Sequence, residues 1–145
     1  MNNRLRNFLS ILTGLLVGSM VNMTIIIVGG KIIPLPGGVD ITKSEELINS
    51  VHLFKAVHFL FPFLAHAFGT FAGALVAAIL SKTNFMINAI AIGIGFWVGG
   101  LISVMQIPAP MWFNGIDLVF AYLPPAFLAG KIISKRNQKN GKQKI

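Results

Sequence analysis

Four long runs of apolar residues constrain the fold of this chain more than any other feature. They cover about residues 8–33, 56–80, 85–107 and 110–133 of 145. Each run is close to the roughly 20 residues that an α-helix needs to cross the hydrocarbon core of a bilayer, and about twice the length of a barrel strand. Because backbone polar groups inside a bilayer must satisfy one another, we expect a helix for each run. The sequence therefore predicts an all-α integral membrane bundle of four transmembrane helices, formed by residues 1–134.

The composition excludes the soluble and the disordered classes of protein. Only 11% of the residues are charged and 54% are hydrophobic, whereas a soluble domain carries about 25% charged residues. Disordered chains are poor in apolar side chains, but this chain has twelve Phe and two Trp. It has no Cys, so disulfides, thiol nucleophiles and thiolate metal sites are also excluded.

The distribution of basic residues predicts the orientation of the bundle. The formal net charge is +8, with twelve basic residues in the chain. If both termini are cytoplasmic, nine of these residues lie inside and only Lys31, Lys43 and Lys55 lie outside. The positive-inside rule therefore favours an N-in, C-in topology. We interpret residues 135–145 as a basic cytoplasmic tail near anionic lipid headgroups, and we expect no nucleic-acid partner.

The first external loop, residues 34–55, is the only extramembrane segment with room for structure of its own. Thr42 and Glu45 have the spacing of a capping box at a helix start. We expect a short helix over about residues 43–53, lying on the membrane surface. Its apolar face would be formed by Leu47, Ile48 and Val51.

Small residues recur at helical spacing and predict where the spans pack against each other. Close approach of backbones is a main source of helix association in a bilayer. The stripes are Gly14 and Gly18 in the first span, Ala65, Gly69, Gly73 and Ala77 in the second, and Gly95, Gly99 and Ser103 in the third. In the fourth span, Pro124 and Pro125 should kink or break the helix.

Polar side chains on three spans are predicted at one depth. At about 1.5 Å per residue, Asn22, His66 and Asp117 lie roughly 21–23 Å from the inner ends of their spans. Asn114 shares a helix face with Asp117, the only acidic residue in any span. An intramembrane carboxylate is costly and by default has a partner or a function, and we expect His66 to be that partner.

Two interpretations of this polar site stay open at the level of sequence. In the first, Asp117 reaches headgroup water and His66 is a hydrogen-bonded packing residue that fixes helix register. In the second, Asn22, His66, Asp117 and Asn114 form a functional site that relays a proton, binds a small polar ligand from the outer side, or holds a lipid headgroup.

The remaining histidines give little indication of a metal or cofactor. His52 and His58 lie near the outer surface, but their six-residue separation matches neither a zinc-protease helix pair nor a zinc-finger spacing. His52 and His58 are nevertheless the remaining candidates for a metal site. Haem held by two imidazoles is a further alternative. We expect no cofactor.

Several short motifs give the chain a family resemblance. They are Pro36-Gly37-Gly38-Val39-Asp40, His52-Leu53-Phe54, His58-Phe59, Phe61-Pro62-Phe63-Leu64-Ala65-His66-Ala67-Phe68-Gly69-Thr70, Pro108-Ala109-Pro110-Met111-Trp112-Phe113 and Asp117-Leu118. In this combination the chain resembles a family of small bacterial four-helix membrane proteins with no assigned activity. The resemblance covers about residues 10–133 and leaves the tail outside. It implies a bacterial inner-membrane setting, but no reaction and no site residues.

Together these observations predict a multi-pass protein of the bacterial inner membrane. We expect a non-enzymatic small carrier, ligand-binding or accessory subunit with an intramembrane polar site. Its partners would be the lipid bilayer and a second copy of the chain or a larger membrane complex. The alternatives are an intramembrane enzyme or a redox or metal-binding membrane protein, and a structural subunit of a larger complex.

Overall fold

The computed structural model describes residues 2–40 and 43–142, and within them it contains helices and no strand. Three short 3-10 turns lie in or beside the first loop, at Pro36–Gly38, Val51–Leu53 and Ala56–Phe59. The six α-helices are α1 (Asn3–Ile32), α2 (Ser44–Ser50), α3 (Leu60–Leu80), α4 (Phe85–Gln106), α5 (Met111–Phe120) and α6 (Leu123–Lys142).

The described residues form four helical segments that are long and apolar enough to cross a membrane. These are α1, α3 with the 3-10 turn before it, α4, and α5 together with the first part of α6. Large apolar side chains such as Leu16, Met20, Ile87 and Met105 are exposed on the outside of the helices, as expected where the surrounding solvent is lipid. The prediction of an all-helical chain with four membrane-length helices is thus confirmed.

The first helix begins earlier than its apolar run. α1 starts at Asn3, because the Asn2 side chain accepts a hydrogen bond from the backbone N–H of Arg4 at 3.1 Å. Such a cap satisfies one of the free N–H groups of the first turn. Hydropathy identifies only the part of a helix that lies in lipid, so it does not locate this start.

Glycines bring α1 and α3 into close contact, as the predicted stripes indicate. A Cβ built on Gly14 would lie 2.6 Å from the Gly73 carbonyl oxygen, and one on Gly18 would lie 2.7 Å from the Gly69 carbonyl oxygen. These two backbones can approach only because both helices lack side chains at the crossing. The Gly14 and Gly18 stripe therefore packs against the Gly69 and Gly73 stripe.

The stripe predicted on α4 is wrong, because the contact face of this helix lies elsewhere. Added Cβ atoms would meet nothing within 4 Å at Gly99 and only Leu15 at Gly95. Instead, Gly93 faces Ala126 of α6 and Gly100 faces Tyr122. The spacing of small residues indicates several possible contact faces on a helix. The partner helix decides which of these faces is buried.

Small side chains fill most of the buried core between α3, α4 and α6. Six alanines there are fully buried, and Ile92 is buried among them. Since lipid is as apolar as the core, such packing stabilises the bundle through close contact more than through removal of apolar surface from water. The alanines are Ala74, Ala77, Ala78, Ala89, Ala126 and Ala129, the last two on α6.

A group of hydrogen-bonded polar side chains joins the first turns of α1 to the start of α4 and to the loop after α3. The buried Asn88 donates to the Ser10 hydroxyl at 2.7 Å, and Ser10 donates to the Asn7 carbonyl at 2.7 Å. Ser81 donates to the Asn7 side chain at 3.2 Å. This group fixes the register of these segments relative to one another.

The fourth span is broken into α5 and α6 at Ala121 and Tyr122, about one turn before the position predicted from the prolines. Pro124 and Pro125 lie in the first turn of α6, where the backbone N–H groups have no helical partner in any case. The prolines thus begin a helix, and the break precedes them. α6 then continues to Lys142, so residues 135–142 of the predicted tail are helical, whereas residues 143–145 lie outside the described part.

The first loop contains the predicted short helix, which the structure has as α2 followed by a 3-10 turn. Lys43 and Glu46 form an ion pair at 2.8 Å, and Glu46 also accepts from the Asp40 backbone N–H at 3.1 Å. The hydrogen bond from Lys43 lowers the pKa of Glu46 below its ordinary value. Thr42, the predicted cap, lies outside the described residues, while Gly37 and Gly38 have φ of 68° and 69°, angles that favour glycine.

Candidate functional site

A hydrogen-bonded pair of side chains joins α3 to α5. The Nδ1 atom of His66 lies 2.9 Å from each carboxylate oxygen of Asp117. Asp117 is 4% exposed and the His66 side chain is 23% exposed. The structure therefore brings together the two residues that the sequence predicts as partners.

Tyr122 completes this pair into a three-residue network. Its hydroxyl donates to Asp117 Oδ2 at 2.8 Å and lies 3.0 Å from His66 Nδ1. The two rings are stacked, with centroids 5.5 Å apart. Gly100 on α4 leaves the space for this side chain, because a Cβ there would lie 2.6 Å from the Tyr122 hydroxyl oxygen.

The role of each His66 nitrogen follows from the protonation states of the pair. With Asp117 ionised and His66 neutral, the carboxylate accepts the Tyr122 hydroxyl hydrogen and the hydrogen on His66 Nδ1. In the neutral imidazole, Nε2 is then an acceptor. Within residues 2–40 and 43–142, no hydrogen bond reaches this Nε2 atom.

A cavity of about 180 Å³ lies beside the network. Its walls come from the last part of α1, the first part of α3, the last part of α4, α5 and the first loop. His66 and Asp117 line it together with mainly apolar side chains, among them Ile26, Val104 and Phe113. Pockets with apolar walls and a few convergent polar groups are typical of small-molecule sites.

Residues of both α1 and α4 line the cavity. Near the opposite end of the bundle, Gly14 contacts Ile92 and Gly18 contacts Phe96. Toward the first loop, the facing residues of these helices, from Ile26 on α1, line the cavity instead.

Aromatic side chains lie beside the cavity at its loop end. Phe59 and Phe113 are buried, and their ring centroids are 4.7 Å apart. Trp112 packs edge-on against Phe59 at 5.7 Å. Val51, which follows α2, is buried in the same cluster. These contacts attach the first loop to the ends of α3 and α5 and form part of the cavity wall.

The other predicted polar residues have different positions. Asn114 lines the cavity, and its side-chain amide donates to the Ala109 carbonyl at 3.2 Å. Asn22 packs its Cβ against Gly69. It is not part of the cavity wall, and no hydrogen bond in the described part of the chain joins it to the network. Of the three side chains predicted at a common depth, His66 and Asp117 therefore contact each other, and Asn22 does not join them.

The two loop histidines do not come together as a metal site. His52 is exposed, whereas His58 lines the cavity and its Nδ1 accepts from the Lys55 backbone N–H at 2.8 Å. Among the described residues there is no group of three or more His, Asp or Glu side chains that could hold a metal ion.

Tyr122 is the main residue of the network that sequence reasoning missed. In a continuous helix, a residue five positions after Asp117 lies about 140° around the axis from it, so periodicity separates the two. The break between α5 and α6 removes this separation. Tyr122 is the only tyrosine in the chain, and a buried tyrosine hydroxyl normally has a hydrogen-bond partner, which was the available signal.

No protein-family model, curated protein or solved structure matches this chain. The resemblance to small bacterial four-helix membrane proteins therefore stays a prediction. The interpretation of the site depends on its own geometry.

Proposed function

We propose that this protein is a multi-pass protein of the bacterial inner membrane that binds a small molecule with an apolar body and one polar end. The cavity beside His66 and Asp117 is the binding site. The observation that carries the proposal is the combination of apolar walls with a polar network that leaves one hydrogen-bonding atom, His66 Nε2, without a partner.

A purely structural role accounts less well for this combination. Polar groups that only fix helix register are most stabilising when every hydrogen-bonding atom is satisfied. An apolar cavity also forfeits van der Waals contacts along its walls. Here His66 and Asp117 line the same cavity as mainly apolar side chains, and a ligand with an apolar body and one polar end matches both parts of this wall.

The proposed topology gives the ligand an outer-side entry. With both termini cytoplasmic, the first loop lies outside, and α2 lies at the membrane surface above the cavity. Leu47 of α2 lines the cavity, so the apolar face of this helix borders the site. A molecule dissolved in the outer leaflet could then reach the cavity with its apolar body still surrounded by apolar groups.

The experiment is photolabelling of the purified protein with an octan-1-ol that carries a diazirine in its alkyl chain. Adducts are mapped by peptide mass spectrometry, with and without an excess of ordinary octan-1-ol. We expect protected adducts on cavity residues. In Val104→Phe the larger side chain should fill part of the cavity, so the protected adducts should be lost.

Val98→Phe is the matched control. Val98 is on the same helix but is 45% exposed and lies outside the cavity wall, so the variant should label like the wild-type chain. Adducts that are confined to outward-facing residues and do not respond to Val104→Phe would contradict the proposed function.

A further inference from the structure

We propose that the polar end of the ligand is a hydrogen-bond donor, a hydroxyl or a protonated amine, which binds to His66 Nε2, and that anionic ends are rejected. This inference rests on the proposed function and specifies its ligand class. It follows from the direction of each hydrogen bond around the cavity.

Tyr122 and His66 carry the hydrogen-bond donors of the network. The Tyr122 hydroxyl hydrogen is directed to Asp117 Oδ2 at 2.8 Å, and the hydrogen on His66 Nδ1 is directed to the same carboxylate at 2.9 Å. With Asp117 ionised and His66 neutral, both donors are used within the protein. His66 Nε2 then remains for a ligand, as an acceptor.

The charges around the cavity favour a cationic ligand over an anionic one. Asp117 lines the cavity and is 4% exposed. No Lys or Arg is among the described residues that line the cavity. Because charges interact strongly in apolar surroundings, a ligand carboxylate or phosphate beside an ionised Asp117 would be repelled, while an ammonium group would be attracted.

Asn114 and His58 are further polar side chains on the cavity wall. The Asn114 amide already donates to the Ala109 carbonyl. The His58 Nδ1 atom accepts from the Lys55 backbone N–H, so a neutral His58 carries its hydrogen on Nε2 and offers a donor. An acceptor on the ligand would therefore bind at His58, on the first loop, and not at His66 between the helices.

The test is competition against the diazirine photolabel by four eight-carbon probes, namely octane, octan-1-ol, octylamine and sodium octanoate. One neutral hydrogen bond contributes about threefold to tenfold in affinity. We expect octan-1-ol and octylamine to compete better than octane by at least this factor, and octanoate to compete no better than octane. The series is repeated in His58→Phe to remove the donor at the loop.

Two variants test whether His66 causes the preference for a ligand that donates a hydrogen bond. His66→Leu should retain labelling of the cavity and make octan-1-ol and octane equivalent, because the acceptor is lost and the apolar wall is kept. His52→Leu changes an exposed histidine outside the cavity and should leave the ranking unchanged.

A second measurement covers the case in which His66→Leu fails to fold. ¹⁵N NMR of histidine-labelled protein with His52→Gln and His58→Gln reports on His66 alone. Octan-1-ol should shift the Nε2 resonance and octane should leave it in place. An equal response to both probes would overturn the donor assignment.

The outcomes separate the two proposals. Protected cavity labelling with equal competition by all four probes, or with octanoate as the best competitor, overturns the inference and leaves the proposed function standing. Loss of protected cavity labelling altogether overturns the proposed function.

Discussion

At the scale of single residues, two adjacent glycines on α4 have opposite surroundings. A Cβ added to Gly100 would lie 2.6 Å from the Tyr122 hydroxyl oxygen, whereas one added to Gly99 would meet nothing within 4 Å. Gly100 therefore gives Tyr122 the position from which it donates to Asp117. Gly99 has no such role and only weakens its helix relative to alanine.

These surroundings predict different effects of the same substitution. Gly100→Ala should displace the Tyr122 ring and lower the free energy of unfolding by about 1–3 kcal/mol, because the Asp117 carboxylate loses a donor. Gly99→Ala should be neutral or slightly stabilising. Reversible unfolding in mixed micelles, followed by circular dichroism, measures both. Equal destabilisation by the two variants would contradict the described position of Tyr122.

Some contacts of the site were predictable from the sequence and others were not. The pairing of His66 with Asp117 was predictable, because a carboxylate within an apolar span needs a partner and few polar side chains share its depth. Asn22 has the same depth but packs against Gly69, because depth along a span does not specify which way a side chain faces. Tyr122 was not predictable from helical periodicity, since it enters the network through a helix break.

At the scale of elements, the break in the fourth span is held by a side chain from a neighbouring helix. The Trp97 indole N–H donates to the Leu118 carbonyl at 3.1 Å. Leu118 lies in the last turn of α5, where carbonyl groups lack helical partners. A broken helix inside a bilayer is tolerated when neighbouring groups satisfy the freed backbone atoms, and Trp97 does this here.

Removing this donor should weaken the junction between α5 and α6. Trp97→Phe keeps an aromatic ring but leaves the Leu118 carbonyl without its partner, and we expect a loss of about 1–2 kcal/mol in the free energy of unfolding. Trp112→Phe is the control, because Trp112 is 50% exposed and its indole N–H makes no hydrogen bond among the described residues. The same unfolding assay should separate the two. A larger loss for Trp112→Phe would contradict the account.

Element boundaries were predictable only in part, for physical reasons. Apolar runs identified the four membrane-length helices, since hydropathy reflects the environment of a whole segment. The α1 start depends on the Asn2 cap, and the α5–α6 break depends on prolines that suit the first turn of α6. Both are local hydrogen-bonding effects on which the mean hydropathy of a segment carries no information.

At the scale of the whole molecule, the proposed topology has the cavity end outside and the Asn88 end inside. The chain has no Cys, so single cysteines can be introduced without background. In Ser44→Cys the thiol should react with a membrane-impermeant maleimide on intact cells. In Lys139→Cys it should react only after permeabilisation, because the proposed topology has the basic C-terminal segment on the cytoplasmic side. Both replaced residues are exposed. The reverse pattern would contradict the proposed orientation and the outer-side entry of the ligand.

The most direct measurement of the central claim is an experimental structure of the protein with bound 8-bromooctan-1-ol. Anomalous scattering locates the bromine, and the density locates the hydroxyl oxygen. We predict that the alkyl chain lies in the cavity and that the hydroxyl oxygen lies about 2.7–3.2 Å from His66 Nε2. A cavity that is filled by the protein's own side chains, with bromine found only on the lipid-facing surface, would contradict the account.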